Sequence, residues 1–316
     1  MSSGSPPEFF LDRSLGRTTA RRLRDAGYVV HLIADHYHDD AQHIADEEWI
    51  AEGCRRGWVL LTKDKKIRYR AEELDALNGH LFCLVGGNAT VAKRTGARIY
   101  APATDEAILR YPMLLPMALY GGADPLDTMR TGFLLGDASP VDEVVGPGPL
   151  TVAGIDLEVV PLYGHSPGQV GYLVDGVFFC ADVVLPVAAL EKYRVPYLYS
   201  ATDHLAALET ARAVDCRVAV AGHGPLLEDR AALHALIDAN VDLLDRVAAR
   251  VLAAAAEPVT ADTILTDLLR HFGADPGDAP SFYLLQPTAF AFVSHLHRQG
   301  RLRHEVHDGQ SLWQAA

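Results

Sequence analysis

The chain has 316 residues, 49% of them hydrophobic and 22% charged, with a formal net charge of −13. That length suggests two or three domains, and the composition excludes a disordered or fibrous protein. Residues 1–85 carry 12 Lys/Arg against 14 Asp/Glu and residues 86–316 carry 16 against 27, so nucleic-acid binding by the larger part is disfavoured. The first part keeps local basic runs in "RTTARRLR" and "KDKKIRYR".

In chain order, "EFFLD" (8–12) predicts a strand, residues 14–27 a helix closed by Gly27, and "YVVHLI" (28–33) a second strand. A His/Asp-rich loop, a helix over 46–57 and the strand "WVLLT" (58–62) complete a small α/β unit with a parallel sheet. A strand at 80–85, a helix at 89–96 and a strand at 97–100 follow. The Met/Pro/Tyr-rich stretch 112–122 either lines an apolar pocket or packs as core. Short strands lie in "TVAGIDLEVVPL", "VGYLVDGVFFCAD" and "CRVAVAGHG", with the helix "DHLAALETARAV" between the last two. From Asp229 the pattern predicts helices at 229–256, 260–271 and 287–300, then a hairpin turning at Asp308-Gly309. Helices followed by a hairpin have a winged-helix outline, read here as an appended structural or dimerisation domain. The expected domains are therefore 1–85, 86–228 and 229–316, all α/β or α+β, and a homodimer is compatible with this plan.

No leader-like apolar run opens the chain and no segment nears the roughly 18 apolar residues of a membrane span, so the expectation is a cytoplasmic protein without membrane contact. The cysteines Cys54, Cys83, Cys180 and Cys216 form no CxxC pair and read as reduced core residues, the last three in apolar strands.

Three motifs carry metal-capable side chains at strand ends beside Gly or Pro: "YGHSPGQ" with His165, "FFCADVV" with Asp182 and "AGHGP" with His223. Two imidazoles and a carboxylate suit zinc, and a carboxylate between imidazoles can bridge two ions and acidify a water as nucleophile. On these motifs, residues 86–316 resemble the metallo-β-lactamase-fold hydrolases, in the branch with a C-terminal winged-helix extension. The resemblance implies an αβ/βα sandwich and hydrolysis of a small ester, thioester or phosphoester. It makes His165 the third ligand of a first zinc, Asp182 the bridging carboxylate and His223 a ligand of a second. That family opens with a His-x-His-x-Asp-His motif directly ahead of the Gly-Gly, and here the four positions fall on Gly79, Leu81, Cys83 and Leu84. The resemblance thus implies a reduced site of one or two ions.

The first part resembles another family. "FFLDRSLG", "DEEWIAEGCRRGWVLLTKDKKIR" and "HLFCL" are similar to the PIN-like domains of VapC-type toxins from Phe9 to about Val85. That family gathers Mg²⁺ or Mn²⁺ with acidic side chains at strand ends and cuts RNA. The matching positions are Asp12, Asp46 (or Glu47) and Asp64, with the basic helix over 17–24 guiding RNA. His36, His38 and Asp40 in "DHYHDDAQH" copy part of the missing histidine motif, but Ala41 breaks it and no Gly-Gly follows, so the stretch reads as a solvated loop near the acidic cluster. The two families meet at Gly86-Gly87-Asn88, which has the character of a fusion joint.

Overall fold

The computed structural model describes residues 8–12, 15–25, 27–37, 44–56, 58–61, 92, 96–130, 134–224 and 226–316. The chain divides into two compact units, Met1–Ile99 and Tyr100–Ala316. The expected strand at 80–85 lies outside the described residues, and of the expected helix at 89–96 only Ala92 and Gly96 are described.

In the first unit β1 (Glu8–Leu11), β2 (Val29–Leu32) and β3 (Val59–Leu61) form a parallel sheet in the order β2-β1-β3. Side chains alternate across a strand, and two adjacent residues of β1 serve opposite cores. Phe10 joins Ile33, Trp49, Ile50, Trp58 and Leu60, while Leu11 joins Ala20, Val30 and Leu32. Helix α3 (Asp46–Arg56) therefore covers one face and α1 (Gly16–Asp25) the other. Gly53 lets α3 approach closely, since a Cβ there would meet the Leu60 side chain and come within 2.8 Å of Phe10 Cδ1. A short helix, α2 (Ile33–His36), follows β2 directly, so His36 is helical rather than part of a loop.

The second unit opens with β4 (Tyr100–Pro102), later than the expected 97–100, paired in parallel with β5 (Glu143–Val145). Between them are α4 (Ala103–Arg110) and α5 (Leu114–Leu119), neither anticipated from sequence. One side of the stretch 112–122 packs as core: Leu119 clusters with Met129 and Leu134, and Leu115, Tyr120 and Tyr197 lie against them, while Leu114 is exposed.

The main sheet has the order β11-β10-β9-β8-β7-β6, built from β6 (Gly148–Val152), β7 (Ile155–Pro161), β8 (Val170–Val174), β9 (Val177–Ala181), β10 (Val218–Ala221) and β11 (Leu226–Leu227). Two tight hairpins, Ala153-Gly154 and Asp175-Gly176, have positive φ at both residues, the condition for turns matching strand twist. Strands β9 and β10 are parallel, so the chain crosses over between them through α6 (Val187–Tyr193) and α7 (Ala201–Ala213).

Helices α8 (Arg230–Ala254), α9 (Ala261–Phe272) and α10 (Ala279–Arg298) follow, then the hairpin β12 (Leu302–His307) and β13 (Gln310–Ala315). Asp308 and Gly309 form its turn, both at positive φ, as their sequence predicts. The N-caps explain the boundaries: Asp229, Thr260 and Asp278 accept from Ala232 N, Thr263 N and Ser281 N. Helix α10 starts eight residues before the expected 287, because Asp278 caps it, Pro280 fits its first turn, and the helix runs through Pro287. One apolar cluster joins Phe178 and Cys180 of the sheet to Leu208, Ile237, Val247, Ile264 and Phe292 of these helices. Each large apolar side chain so buried contributes about 1.5–3 kcal/mol. Cys54, Cys180 and Cys216 are buried and unbridged, Cys54 in its expected helix and Cys180 in a strand, whereas Cys216 precedes β10 rather than lying in a strand. Burial pushes the Cys180 thiol up to about 12, which keeps it protonated and inert. Among the described residues no helix is long and apolar enough to cross a membrane.

Candidate metal centre

His165 follows β7, Asp182 follows β9 and His223 follows β10, so three loops at one sheet deliver the three side chains. They converge on the carboxylate. His165 Nε2 lies 3.6 Å from Asp182 Oδ2, and His223 Nε2 lies 3.6 Å from Asp182 Oδ1. These approaches are longer than hydrogen bonds, and Asp182 Oδ1 is buried with no hydrogen-bond partner.

The local backbone is arranged around that carboxylate. The β9–β10 register shifts between Val220 and Ala221, so Ala221 pairs with Ala181 while Val220 pairs with Phe179. Such an irregularity re-aims a side chain at a strand end. Ala181 takes φ 47°, a left-handed conformation for a residue with a Cβ, at a cost of about 1–3 kcal/mol. At Gly222 a Cβ would collide with Asp182 Oδ1, so glycine leaves the carboxylate its room.

His165 is held from two sides. Its loop is strapped by Asp105 of α4: Ser166 Oγ donates to Asp105 Oδ2 at 2.8 Å, and Gly168 N donates to Oδ1 at 3.2 Å. The Tyr197 ring meets its imidazole edge-on at 5.3 Å. Burial lowers the His165 pKa, outweighing the opposing pull of the Asp182 carboxylate, so the neutral imidazole is favoured. Neutral imidazole is the form that binds metal. Gly164, at φ +125°, sits where a Cβ would strike the His204 backbone, and Tyr199 N and Ser200 N both donate to its carbonyl. His204 itself is buried, its Nδ1 has no partner, and burial beside His165 depresses its pKa to about 3.

Among the described residues no group of three or more His, Cys, Asp or Glu side chains is arranged ready to hold a metal ion. The donors nevertheless fit one: the set is two imidazoles and a carboxylate, and Asp182 Oδ1 is a buried acceptor left unsatisfied. The positions Gly79, Leu81, Cys83 and Leu84 lie outside the described residues. Sequence reading missed Asp105, Tyr197 and His204. Asp105 looks like an ordinary first-turn aspartate, and only His204, a ring on the buried face of α7, breaks a visible pattern.

In the first unit Asp12 is buried at the C-terminal end of the central strand, where parallel α/β sheets place their sites. Its amide donates to Leu61 O at 3.0 Å. Asp46 is the first residue of α3, while Asp64, His38, Asp40 and His43 lie outside the described residues. His36 Nε2 is 3.4 Å from Glu52, and its ring packs edge-on against Phe10 and Trp58. His31 stacks on Trp58 with centroids 3.8 Å apart and reaches Glu8 at 2.7 Å.

Comparisons with known proteins find two families in succession along the chain. The family described as "PIN like domain" matches residues 7–85, and the "Metallo-beta-lactamase superfamily" matches residues 85–223, so the two meet at Val85. The protein named "Putative ribonuclease VapC45" from Mycobacterium tuberculosis is 37% identical over 98 residues, spanning 29% of this chain and 70% of that one. Among solved structures, a metallo-beta-lactamase family protein from Thermus thermophilus superposes with TM-score 0.55 at 17% identity, covering 73% of this chain and 75% of that one. A beta-lactamase domain protein from Burkholderia ambifaria gives 0.51 at 20% identity, covering 72% and 69%. The chain belongs to the PIN-like family through its first part, and residues 85–223 match the metallo-beta-lactamase superfamily model, with solved structures of that name sharing the fold.

Proposed function

We propose that the chain is a metal-dependent hydrolase of an ester, thioester or phosphoester, with His165, Asp182 and His223 holding zinc. The observation that carries this reading is the convergence of the three side chains on a carboxylate whose buried Oδ1 has no partner. When bound, the ion supplies Lewis acidity, polarising the scissile carbonyl or phosphoryl group and acidifying a water. The chain's own residues fix the geometry: Asp105 and Tyr197 aim the His165 imidazole, and the turn at Ala181 and Gly222 aims Asp182. Because the first ligand motif is replaced by Gly79, Leu81, Cys83 and Leu84, metal retention and turnover are reduced relative to a full two-metal site. Domain boundaries at 85/86 and 228/229, a winged-helix-like role for α8 to β13, a cytoplasmic location supported by three unbridged cysteines, and homodimer formation complete the proposal. Zinc content that is lost in a His165→Ala/His223→Ala double variant tests it.

A second reading is favoured by the placement of Asp12 and by the VapC45 relative: an Mg²⁺- or Mn²⁺-dependent ribonuclease through Asp12, Asp46 and Asp64. Mn²⁺-dependent RNA cleavage abolished by Asp64→Asn would support it. A chain with neither zinc nor RNA cleavage would be a non-catalytic fused remnant.

A further inference from the structure

Among the described residues three buried polar side chains interrupt the apolar stripes of the C-terminal helices; His295 on α10 pairs with Thr202 of α7 at 2.9 Å, and Asn240 and Thr288 reach further. On α8 the buried positions run Leu236, Ile237, Asn240, Leu243 and Leu244, helical spacing with an amide in its centre. On α10 Thr288 is fully buried among Ala289, Ala291 and Phe292. Buried polar groups need partners, and both find theirs in the loops of the candidate metal centre.

Asn240 Oδ1 accepts from Leu185 N at 3.0 Å, and its Nδ2 donates to Leu185 O at 2.9 Å and to Leu236 O at 2.8 Å. A single amide thus satisfies both backbone groups of Leu185, three residues beyond Asp182, as a neighbouring strand would. The intervening Val183 and Val184 are fully buried, leaving that stretch little freedom. Thr288 Oγ1 donates to Pro196 O at 2.8 Å and accepts from Leu198 N at 3.1 Å. Those two residues flank Tyr197, whose ring packs edge-on against His165.

We propose that Asn240 and Thr288 are positioning residues of the metal centre, through which the C-terminal helices fix the loops that aim Asp182 and His165. The proposal rests on the metal-binding reading above. Burial alone does not require these side chains, since Leu and Val would fill similar volumes. The amide offers a donor and an acceptor in one plane, and the hydroxyl both gives and takes from one atom, which Leu and Val cannot do. Their apolar replacements leave buried backbone groups on the ligand-bearing loops unpaired, and the loops must shift to satisfy them.

The test uses the full chain carrying Asn240→Leu, Thr288→Val or Thr288→Ser, with Ile264→Ala in α9 as a buried control outside these loops. Hydrogen exchange is followed in the metal-free protein, and affinity is read from Co²⁺ titration by visible absorption. Asn240→Leu is expected to accelerate exchange over 183–186 and Thr288→Val over 195–199. Each is expected to weaken Co²⁺ binding roughly 10- to 100-fold, the range for outer-shell partners of metal ligands. Thr288→Ser, keeping the hydroxyl, should restore both readouts, and Ile264→Ala should lower the melting temperature while changing neither. If Asn240→Leu and Thr288→Val behave like Ile264→Ala, the positioning role is overturned while the metal-binding reading stands. If the wild type takes up no Co²⁺ although the loops respond in exchange, the metal-binding reading fails and the positioning role falls with it.

Discussion

The two units use the same device, side chains at strand ends, but anchor it differently. In the first unit the described candidate, Asp12, ends a central parallel strand and is placed through backbone pairing to Leu61. In the second, His165 and Asp182 sit on loops bound by side chains from other elements: Asp105 from α4, Asn240 from α8 and Thr288 from α10. A strand end places one residue cheaply, whereas three loops must be tied down if three donors are to share one point. The contrast explains why the second unit commits buried polar groups to its loops.

The contrast breaks most sharply through the sheet cores. Phe10→Ala empties the centre of the first unit, at an expected cost of about 3–5 kcal/mol, measured by urea unfolding. Zinc content per folded chain should be unchanged, and a variant that loses zinc would show the centre draws on the first unit. Gly164→Ala attacks the second unit at its tightest backbone approach, against His204. Strain at positive φ and the backbone clash together should cost about 3 kcal/mol, with weakened Co²⁺ binding.

His204 gives a pH signature. Its folded pKa, about 3, lies below the ordinary 6.5, so the unfolded chain binds the extra proton between those values. Its contribution is therefore fully present above pH 6.5 and is lost as pH falls toward 3, by at most about 1.4 kcal/mol per pH unit. His204→Leu should flatten the acid side of the stability profile measured by urea unfolding between pH 7 and pH 4.5. An unchanged slope would assign the acid sensitivity to other rings such as the buried His295. The smallest effect is expected at a helix end: Asp229→Ala removes the cap on Ala232 N and should cost about 1 kcal/mol, with zinc content unaffected.

Much of this was legible in sequence because it is local. The Asp308-Gly309 turn, the strand alternation of the first unit and the three Gly-flanked motifs each declare themselves within a few residues. The start of α10 was misread because Pro287 resembles a first-turn proline, whereas Asp278 and Pro280 do that work eight residues earlier. The short helices α4 to α6 lack a long enough apolar period to show. The anchors were invisible for a different reason. Asn240 and Leu185 are 55 residues apart in the chain and Thr288 and Leu198 are 90, so only the folded topology reveals why a polar residue interrupts an apolar stripe.

In the proposed function His165, Asp182 and His223 together hold a metal ion. Elemental analysis of the purified full chain, grown with zinc and compared with His165→Ala/His223→Ala, tests it most directly. The expected result is about one zinc or more per wild-type chain, as for a centre with three protein ligands and an open position, and almost none in the double variant. Equal zinc in both proteins, or none in the wild type, would contradict it.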